Sequence, residues 1–289
     1  MKKAIMLFFV GCLAVCCSCA HPGSEPNESQ ENEIVYADQE FIGSLSQALQ
    51  ARFDFADAVD ETTAESLAET VSVEIEKLTP YKTRQFEDAK LQEKFLSYLN
   101  LLEESKELTK DMGVNDDTFY NDWDSLYNER TVMLKDFVDN YGLTVDEAHQ
   151  ETLDDLLRRG QAVEKADSER DAVEQLVSSL NFDKASDEEG LFFTYTAIGE
   201  NDTELNLEDV SLVLALYDED GVKVEETYAG TNSWPKGEKV KFEAMSDVDA
   251  AEIKVSLDYY TVADRSRRFL RGQLISLDMC SPPRGHCQF

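Results

Sequence analysis

The chain has 289 residues, a formal net charge of −33 and 42% hydrophobic residues, including fifteen Phe, eleven Tyr and two Trp. This apolar content can fill hydrophobic cores, so the composition excludes a wholly disordered chain. So acidic a chain repels phosphate backbones, which excludes nucleic acid as a partner. The length predicts one large domain or two of medium size.

The first eighteen residues have the outline of a secretory signal peptide. A cationic head, Lys2-Lys3, precedes an uncharged apolar run that ends in small residues. The run reaches at most the ~20 residues that a membrane-spanning helix needs. We expect residues 1–18 to be a signal that is cut off, and residues 19–36, which are polar, to form a flexible tether.

The end of the apolar run resembles the lipid-attachment box of bacterial lipoproteins, in which a Cys after small or aliphatic residues receives the lipid. Cys19 follows Ser18 and leaves a signal of ordinary length, so it is the favoured attachment site. Cys16 and Cys12 are the alternatives. The resemblance implies a protein of the cell envelope, anchored to the membrane by its lipid and facing the extracytoplasmic side. Ordinary secretion with incidental cysteines is the competing interpretation.

Residues 37–181 have the apolar periodicity of amphipathic helices, and short connections marked by Gly or Pro favour an antiparallel helical bundle. Thr62 and Glu65 have capping-box spacing ahead of the second helix, which Pro80 should end. The first helix places four apolar residues on one stripe, namely Phe41, Leu45, Leu49 and Phe53.

Glycines mark the later helix ends in the predicted bundle. Gly113 and Gly142 follow the third and fourth helices as C-caps. Two more helices are expected after them. One runs from a capping box at residues 144–147 to near Gly160, and the other runs from about Gln161 to Leu180.

After a polar link at residues 182–190, the apolar period changes from helical to two. Alternation is clear in residues 210–216, 240–244 and 251–259, and a turn is expected at residues 219–221. This pattern predicts a small antiparallel β unit of four to seven strands in residues 190–262, arranged as a sandwich. The predicted fold class is therefore α+β.

The stretch LALYDEDG, residues 214–221, resembles the signature of the FxLYD domain, an Ig-like β module of bacterial exported proteins. The matching residues are Leu214, Leu216, Tyr217, Asp218 and Gly221, with Leu in the place of the signature's Phe. The resemblance implies an Ig-like fold and an exported protein, and it attaches no catalytic residue to the signature. In physical terms the two leucines are core positions, and the aspartate can accept hydrogen bonds from the amides of its own turn.

Residues 263–289 are basic where the rest of the chain is acidic, with five Arg and two Asp. One interpretation is that this tail does not belong to the native fold, as after a shifted reading frame. The other is a basic segment that docks on the acidic body, with Cys280 and Cys287 close enough in sequence to pair.

Few residues in the chain are suited to catalysis. Between Cys19 and Cys280 there is no cysteine, and His149 is the one histidine of the body, which excludes a Cys–His nucleophile pair and a His-rich zinc site. His149 is expected to be a surface helix residue. No Gly-rich phosphate loop is present, and the DEDG turn lacks the later Glu of a calcium loop. We expect neither a metal nor a cofactor.

Four charged residues lie on or beside the apolar stripes of the predicted helices: Arg52, Glu74, Asp88 and Arg130. Buried charges should pair, because an unpaired buried ion is costly. We predict that these residues form a buried ion network that fixes the helix register, with a ligand site as the alternative.

The favoured function is a lipid-anchored surface protein whose helical and Ig-like parts bind a surface protein or cell-wall partner without catalysis. An enzyme or accessory protein that acts on cell-wall material through carboxylates is one alternative. A solute-binding or cation-binding lipoprotein is another.

Overall fold

A computed structural model describes residues 35–263. This part of the chain is α+β, as predicted: helices fill its first half and strands its second. The α-helices are α1 (Asp38–Ala58), α2 (Ala64–Leu78), α3 (Ala89–Leu108), α4 (Asp116–Tyr141) and α5 (Gln150–Ser178). The strands are β1 (Asp183–Ser186), β2 (Phe193–Glu200), β3 (Leu207–Tyr217), β4 (Lys223–Trp234), β5 (Lys239–Ser246) and β6 (Glu252–Val262).

Helix α2 begins one residue later than its predicted capping box. Thr63, not Thr62, is the N-cap, and its hydroxyl accepts the Ser66 N–H at 3.1 Å. The Ser66 hydroxyl in turn accepts the Thr63 N–H at 2.9 Å. Ser66 therefore makes the reciprocal hydrogen bond of the capping box that was expected from Glu65. The predicted end is confirmed, because Pro80 lies in a short 3₁₀ turn directly after α2.

Helix α4 ends as its sequence predicts. Gly142 follows its last residue with a φ of 70°, a left-handed conformation that glycine adopts without steric cost. Its amide donates to the Phe137 carbonyl and so satisfies one of the free carbonyls at the end of the helix.

The two helices predicted between residues 144 and 180 are one continuous helix, α5. Gly160 does not end a helix. It is buried inside α5 against α4, where a β-carbon would lie 2.6 Å from the carbonyl oxygen of Thr131. The predicted capping box at residues 144–147 is also wrong, because the Asp146 side chain caps the 3₁₀ turn that precedes α5.

Consecutive helices of the bundle pack against each other around one hydrophobic core. An aromatic group lies at its centre, where the Phe41 ring contacts the rings of Tyr81, Phe86, Phe95 and Phe137 at centroid distances of 4.8–5.9 Å. Leu156, in the first half of α5, belongs to the same core. The stripe predicted for α1 is buried as expected.

The strands form two antiparallel sheets of three strands, in the orders β1-β2-β5 and β4-β3-β6. Strand β1 lies within the segment predicted as a polar link. All four of its residues are exposed, so it has no apolar alternation from which a strand could be predicted. Asp209, with a φ of 50°, lies where the pairing of β3 with β6 shifts register, as at a β-bulge.

A second hydrophobic core joins the strands to the end of α5. Val173, Leu176 and Val177 of α5 cluster with buried residues of both sheets, among them Tyr195 and Trp234. Between the two cores, residues 161–172 of α5 include no buried side chain. One helix therefore contributes to two separate cores.

Candidate functional site

Four helices each contribute one polar side chain to a buried cluster centred on Glu74 of α2. Arg52 of α1 donates from Nη1 to Glu74 Oε2 at 2.7 Å, and Arg130 of α4 donates from Nη2 to the same oxygen at 3.0 Å. Tyr98 of α3 donates its hydroxyl to Glu74 Oε1. At most 3% of any of these residues is exposed, so the cluster lies inside the bundle core.

The two guanidinium groups decide the ionisation of Glu74. Burial raises the pKa of this carboxyl, but the attraction of Arg130 and Arg52 and the hydrogen bond from Tyr98 outweigh it and hold the pKa below its ordinary value. Burial raises the pKa of the Tyr98 phenol, which therefore stays protonated and donates. Two cations and one anion leave the cluster with one excess positive charge.

The geometry of the cluster supports a role in fixing the helices. Its Glu74 oxygens are already occupied by three donors from three other helices. One surface groove of the bundle, between α3 and α4, is lined by other residues, among them Glu104, Glu107 and Asp122. The Nε atoms of Arg52 and Arg130 are buried without a hydrogen-bond partner, which adds to the cost of the cluster.

Asp88 is not part of this cluster, and its predicted membership is wrong. It is exposed and is the N-cap of α3, where its Oδ1 accepts the N–H groups of Lys90 at 2.8 Å and Leu91 at 3.3 Å. An N-cap aspartate immediately precedes the first apolar residues of its helix, so in sequence it resembles a charge on the buried stripe. Tyr98, by contrast, was missed because tyrosine counts as apolar in a periodicity analysis.

The residues of the FxLYD-like signature have structural positions in β3 and the turn after it. Leu214 and Leu216 are fully buried in the second core. The Asp218 carboxylate accepts the N–H groups of Asp220 at 3.0 Å and Val222 at 2.9 Å. Gly221 has a φ of 77°, which explains a glycine there. Tyr217 has the Lys254 ammonium 4.4 Å from its ring centroid.

Asn201 forms a second polar centre, at the end of β2. It is fully buried, and its Nδ2 donates to the carbonyls of Leu205 at 2.9 Å and Trp234 at 2.7 Å. Its Oδ1 accepts from the amide and the hydroxyl of Thr203 at 3.0 and 2.7 Å. The side chain thus ties a loop to the end of β4, which is a structural role.

His149, predicted as a surface helix residue, lies partly buried at the end of the 3₁₀ turn that precedes α5. Its Nδ1 lies 2.6 Å from Asp146 Oδ1 and its Nε2 lies 3.0 Å from Asp54 Oδ1, and only 13% of its side chain is exposed. Both ring nitrogens therefore have a carboxylate partner, and each carboxylate can accept a hydrogen bond from a ring N–H. The spacing of Asp146 and His149 was visible in the sequence, but the contact with Asp54, 95 residues away, was not.

Within residues 35–263, no group of three or more His, Cys, Asp or Glu side chains is arranged to hold a metal ion. No helix in this described range combines the length and the apolar character needed to cross a membrane. The lipidation candidates Cys19, Cys16 and Cys12 lie outside the described residues, as does the basic tail from residue 264 onward.

No protein-family model matches the chain, and no curated protein matches it significantly. The crystal structure of Campylobacter jejuni cj0090 is similar to 28% of this chain and to 84% of its own chain, at 16% sequence identity. The TM-score of that match is 0.20, which is too low to carry an argument about fold or function.

Proposed function

We propose that the protein is a lipid-anchored component of a bacterial cell envelope whose body is a non-enzymatic binding module on the extracytoplasmic side. One observation carries this proposal: the cationic and apolar N-terminus ends in small residues at Cys19 and is followed at once by a polar tether. A tether of this kind would hold the helices and sheets away from the membrane.

We further propose that the two sheets form an Ig-like sandwich of the FxLYD type. The buried faces of both sheets contribute to one hydrophobic cluster, with Phe242 from one sheet and Leu212, Leu214 and Trp234 from the other. The Trp234 and Phe242 rings meet edge to face at 4.9 Å across the two sheets. These contacts and the signature at residues 214–221 support the assignment.

Binding without catalysis is supported by how the polar groups are used. Glu74 has three donors, Asn201 is fully hydrogen-bonded inside the β unit, and His149 is engaged at both nitrogens. Each of these groups serves the fold. A surface protein or the cell wall is the proposed partner, because both would be within reach of an anchored domain.

Intact-mass spectrometry of the protein, extracted with detergent from its own membranes, tests the anchor. We expect the mass of the chain from Cys19 onward plus a diacylglyceryl or triacyl group. Cys19→Ala should abolish the added lipid mass, whereas Cys16→Ala, the matched control, should keep it. An unlipidated wild-type protein in the soluble fraction would contradict the proposal.

Incubation with purified cell-wall material tests the absence of catalysis. The protein should release no soluble sugar or peptide fragments above the level seen with a heat-denatured sample. Fragments whose release depends on a particular carboxylate would instead support a cell-wall enzyme.

A further inference from the structure

His149 joins two segments that are far apart in the sequence. It lies directly before α5, while Asp54 is in the last turns of α1, and the two side chains meet at 3.0 Å. Asp146, three residues before His149, holds the other ring nitrogen at 2.6 Å. The imidazole also packs near the buried Phe53 ring, with the two centroids 5.9 Å apart.

Both contacts of the imidazole can be hydrogen bonds to ionised carboxylates at the same time only when the ring is protonated. An ionised carboxylate can only accept hydrogen bonds, and a neutral imidazole carries a single N–H. Imidazolium carries an N–H on each nitrogen, so it is the form of the ring that can donate to Asp54 and Asp146 at once. The charged groups that face the ring are Asp54 from α1 and Asp146 from the connection before α5.

We propose that His149 is a proton-dependent latch that fastens the end of α1 to the start of α5. When the ring loses a proton to solvent, only one of its two hydrogen bonds can persist. Asp146 is the partner that stays, because it is local and its Oδ1 also lies 3.2 Å from the His149 amide nitrogen, which donates to it. The bond to Asp54 is lost, which releases the end of α1 and the connection at residues 59–63.

The pKa of His149 is shifted in the direction that this latch requires. Burial lowers the pKa of the ring, but the hydrogen bonds to Asp54 and Asp146 outweigh it and raise the pKa above the ordinary value. A raised folded-state pKa stabilises the fold below the unfolded value, and this contribution disappears as the pH rises through the folded pKa. The latch is therefore closed at mildly acidic pH and open at alkaline pH.

Titration of His149 by NMR, in the purified full chain with labelled histidine, tests the latch directly. Its signal is assigned by its loss in His149→Gln, which separates it from His21 and His286. We expect His149 to titrate above the ordinary pKa of histidine and to shift downward in Asp54→Asn. Asp57→Asn removes the same charge from an exposed position of α1 and is the matched control.

Amide hydrogen exchange provides a second measure that does not depend on the ring signal. At pH 6 the amides of residues 56–58, whose intrinsic exchange rates the substitution does not change, should exchange roughly two- to five-fold faster in Asp54→Asn than in the wild type, the range expected for one partly exposed ion pair. At pH 9 the two proteins should exchange alike. The inference is overturned if His149 titrates at its ordinary value, or if Asp57→Asn lowers its pKa as much as Asp54→Asn does. Either result leaves the proposed anchor untouched.

Discussion

At the scale of single residues, Glu74 is where four helices meet. Its carboxylate compensates two buried guanidinium charges at once, so its loss would leave both without an anion. Breaking a buried ion pair by removing one partner is far more costly than replacing the whole group by apolar side chains. This asymmetry gives the cluster a testable signature.

Glu74→Gln should lower the free energy of unfolding by about 3–5 kcal/mol, because it removes the charge and nearly nothing else. Urea denaturation followed by circular dichroism measures the change. Glu69→Gln, at an exposed position of the same helix, should change it little. The triple variant Arg52→Met, Glu74→Leu, Arg130→Met should be more stable than Glu74→Gln alone, and the opposite order would refute a structural ion cluster.

The lowered pKa of Glu74 also predicts how the stability of the fold depends on pH in the acidic range. A carboxyl whose folded-state pKa lies below its ordinary value of 4.5 stabilises the fold above that value, and this contribution is lost as the pH falls through the folded pKa. Urea midpoints measured from pH 6 down to pH 3 should therefore fall less steeply in Glu74→Gln than in the wild type. Glu69→Gln should keep the wild-type slope.

Sequence reasoning placed three members of this cluster and misplaced the fourth. Arg52, Glu74 and Arg130 are recognisable because charges rarely occur on apolar stripes. Tyr98 completes the cluster in place of Asp88. The apolar period shows that a tyrosine is buried, but it does not show whether the hydroxyl of that tyrosine has a polar partner. The contact between His149 and Asp54 depends on tertiary structure alone, so no local pattern could have predicted it.

At the scale of elements, two helical glycines have opposite surroundings. Gly160 of α5 faces the Thr131 backbone of α4, whereas a β-carbon at Gly43 of α1 would have no atom within 4 Å. Gly43→Ala should stabilise the protein by roughly 0.5–1 kcal/mol, since alanine is the better helix former. Gly160→Ala should destabilise it by about 1–3 kcal/mol, because α4 and α5 must move apart.

Thermal denaturation of the two alanine variants measures both effects on one scale. Equal stabilisation by the two substitutions would show that α4 and α5 do not approach closely at Gly160.

The same glycine explains why one long helix was predicted as two. The sequence does not distinguish a left-handed glycine that ends a helix from a glycine at a close contact between two helices. Only the packing of α4 against α5 separates the two cases. At Gly142 the first interpretation is right, and at Gly160 it is wrong. Helices α1 to α4 and strands β3, β5 and β6 were predictable because their apolar periods are clear, whereas β1 has none.

At the scale of the whole molecule, the described residues contain two hydrophobic cores with one tryptophan in each. Trp123 belongs to the core of the helices and Trp234 to the core of the strands. The chain has two Trp in all, so each reports on its own core. Structures with separate cores can open in separate cooperative units.

Unfolding should therefore have two distinguishable transitions. In Trp123→Phe the remaining fluorescence follows the strands, and in Trp234→Phe it follows the helices. We expect the urea midpoint from fluorescence to differ from the midpoint of helical circular dichroism in Trp123→Phe and to coincide with it in Trp234→Phe. Coincident transitions in both variants would show one cooperative unit.

The length of the shared helix α5 also determines how one core is rotated relative to the other about the helix axis. From Leu156 in one core to Val173 in the other, it advances about 26 Å at ~1.5 Å per residue. Each residue added in the exposed stretch between them would turn the second core by roughly 100° about the helix axis. The number of residues between Leu156 and Val173 therefore fixes the rotation of the second core about the axis of α5. An insertion or deletion in this stretch would change that rotation, whereas a substitution would not.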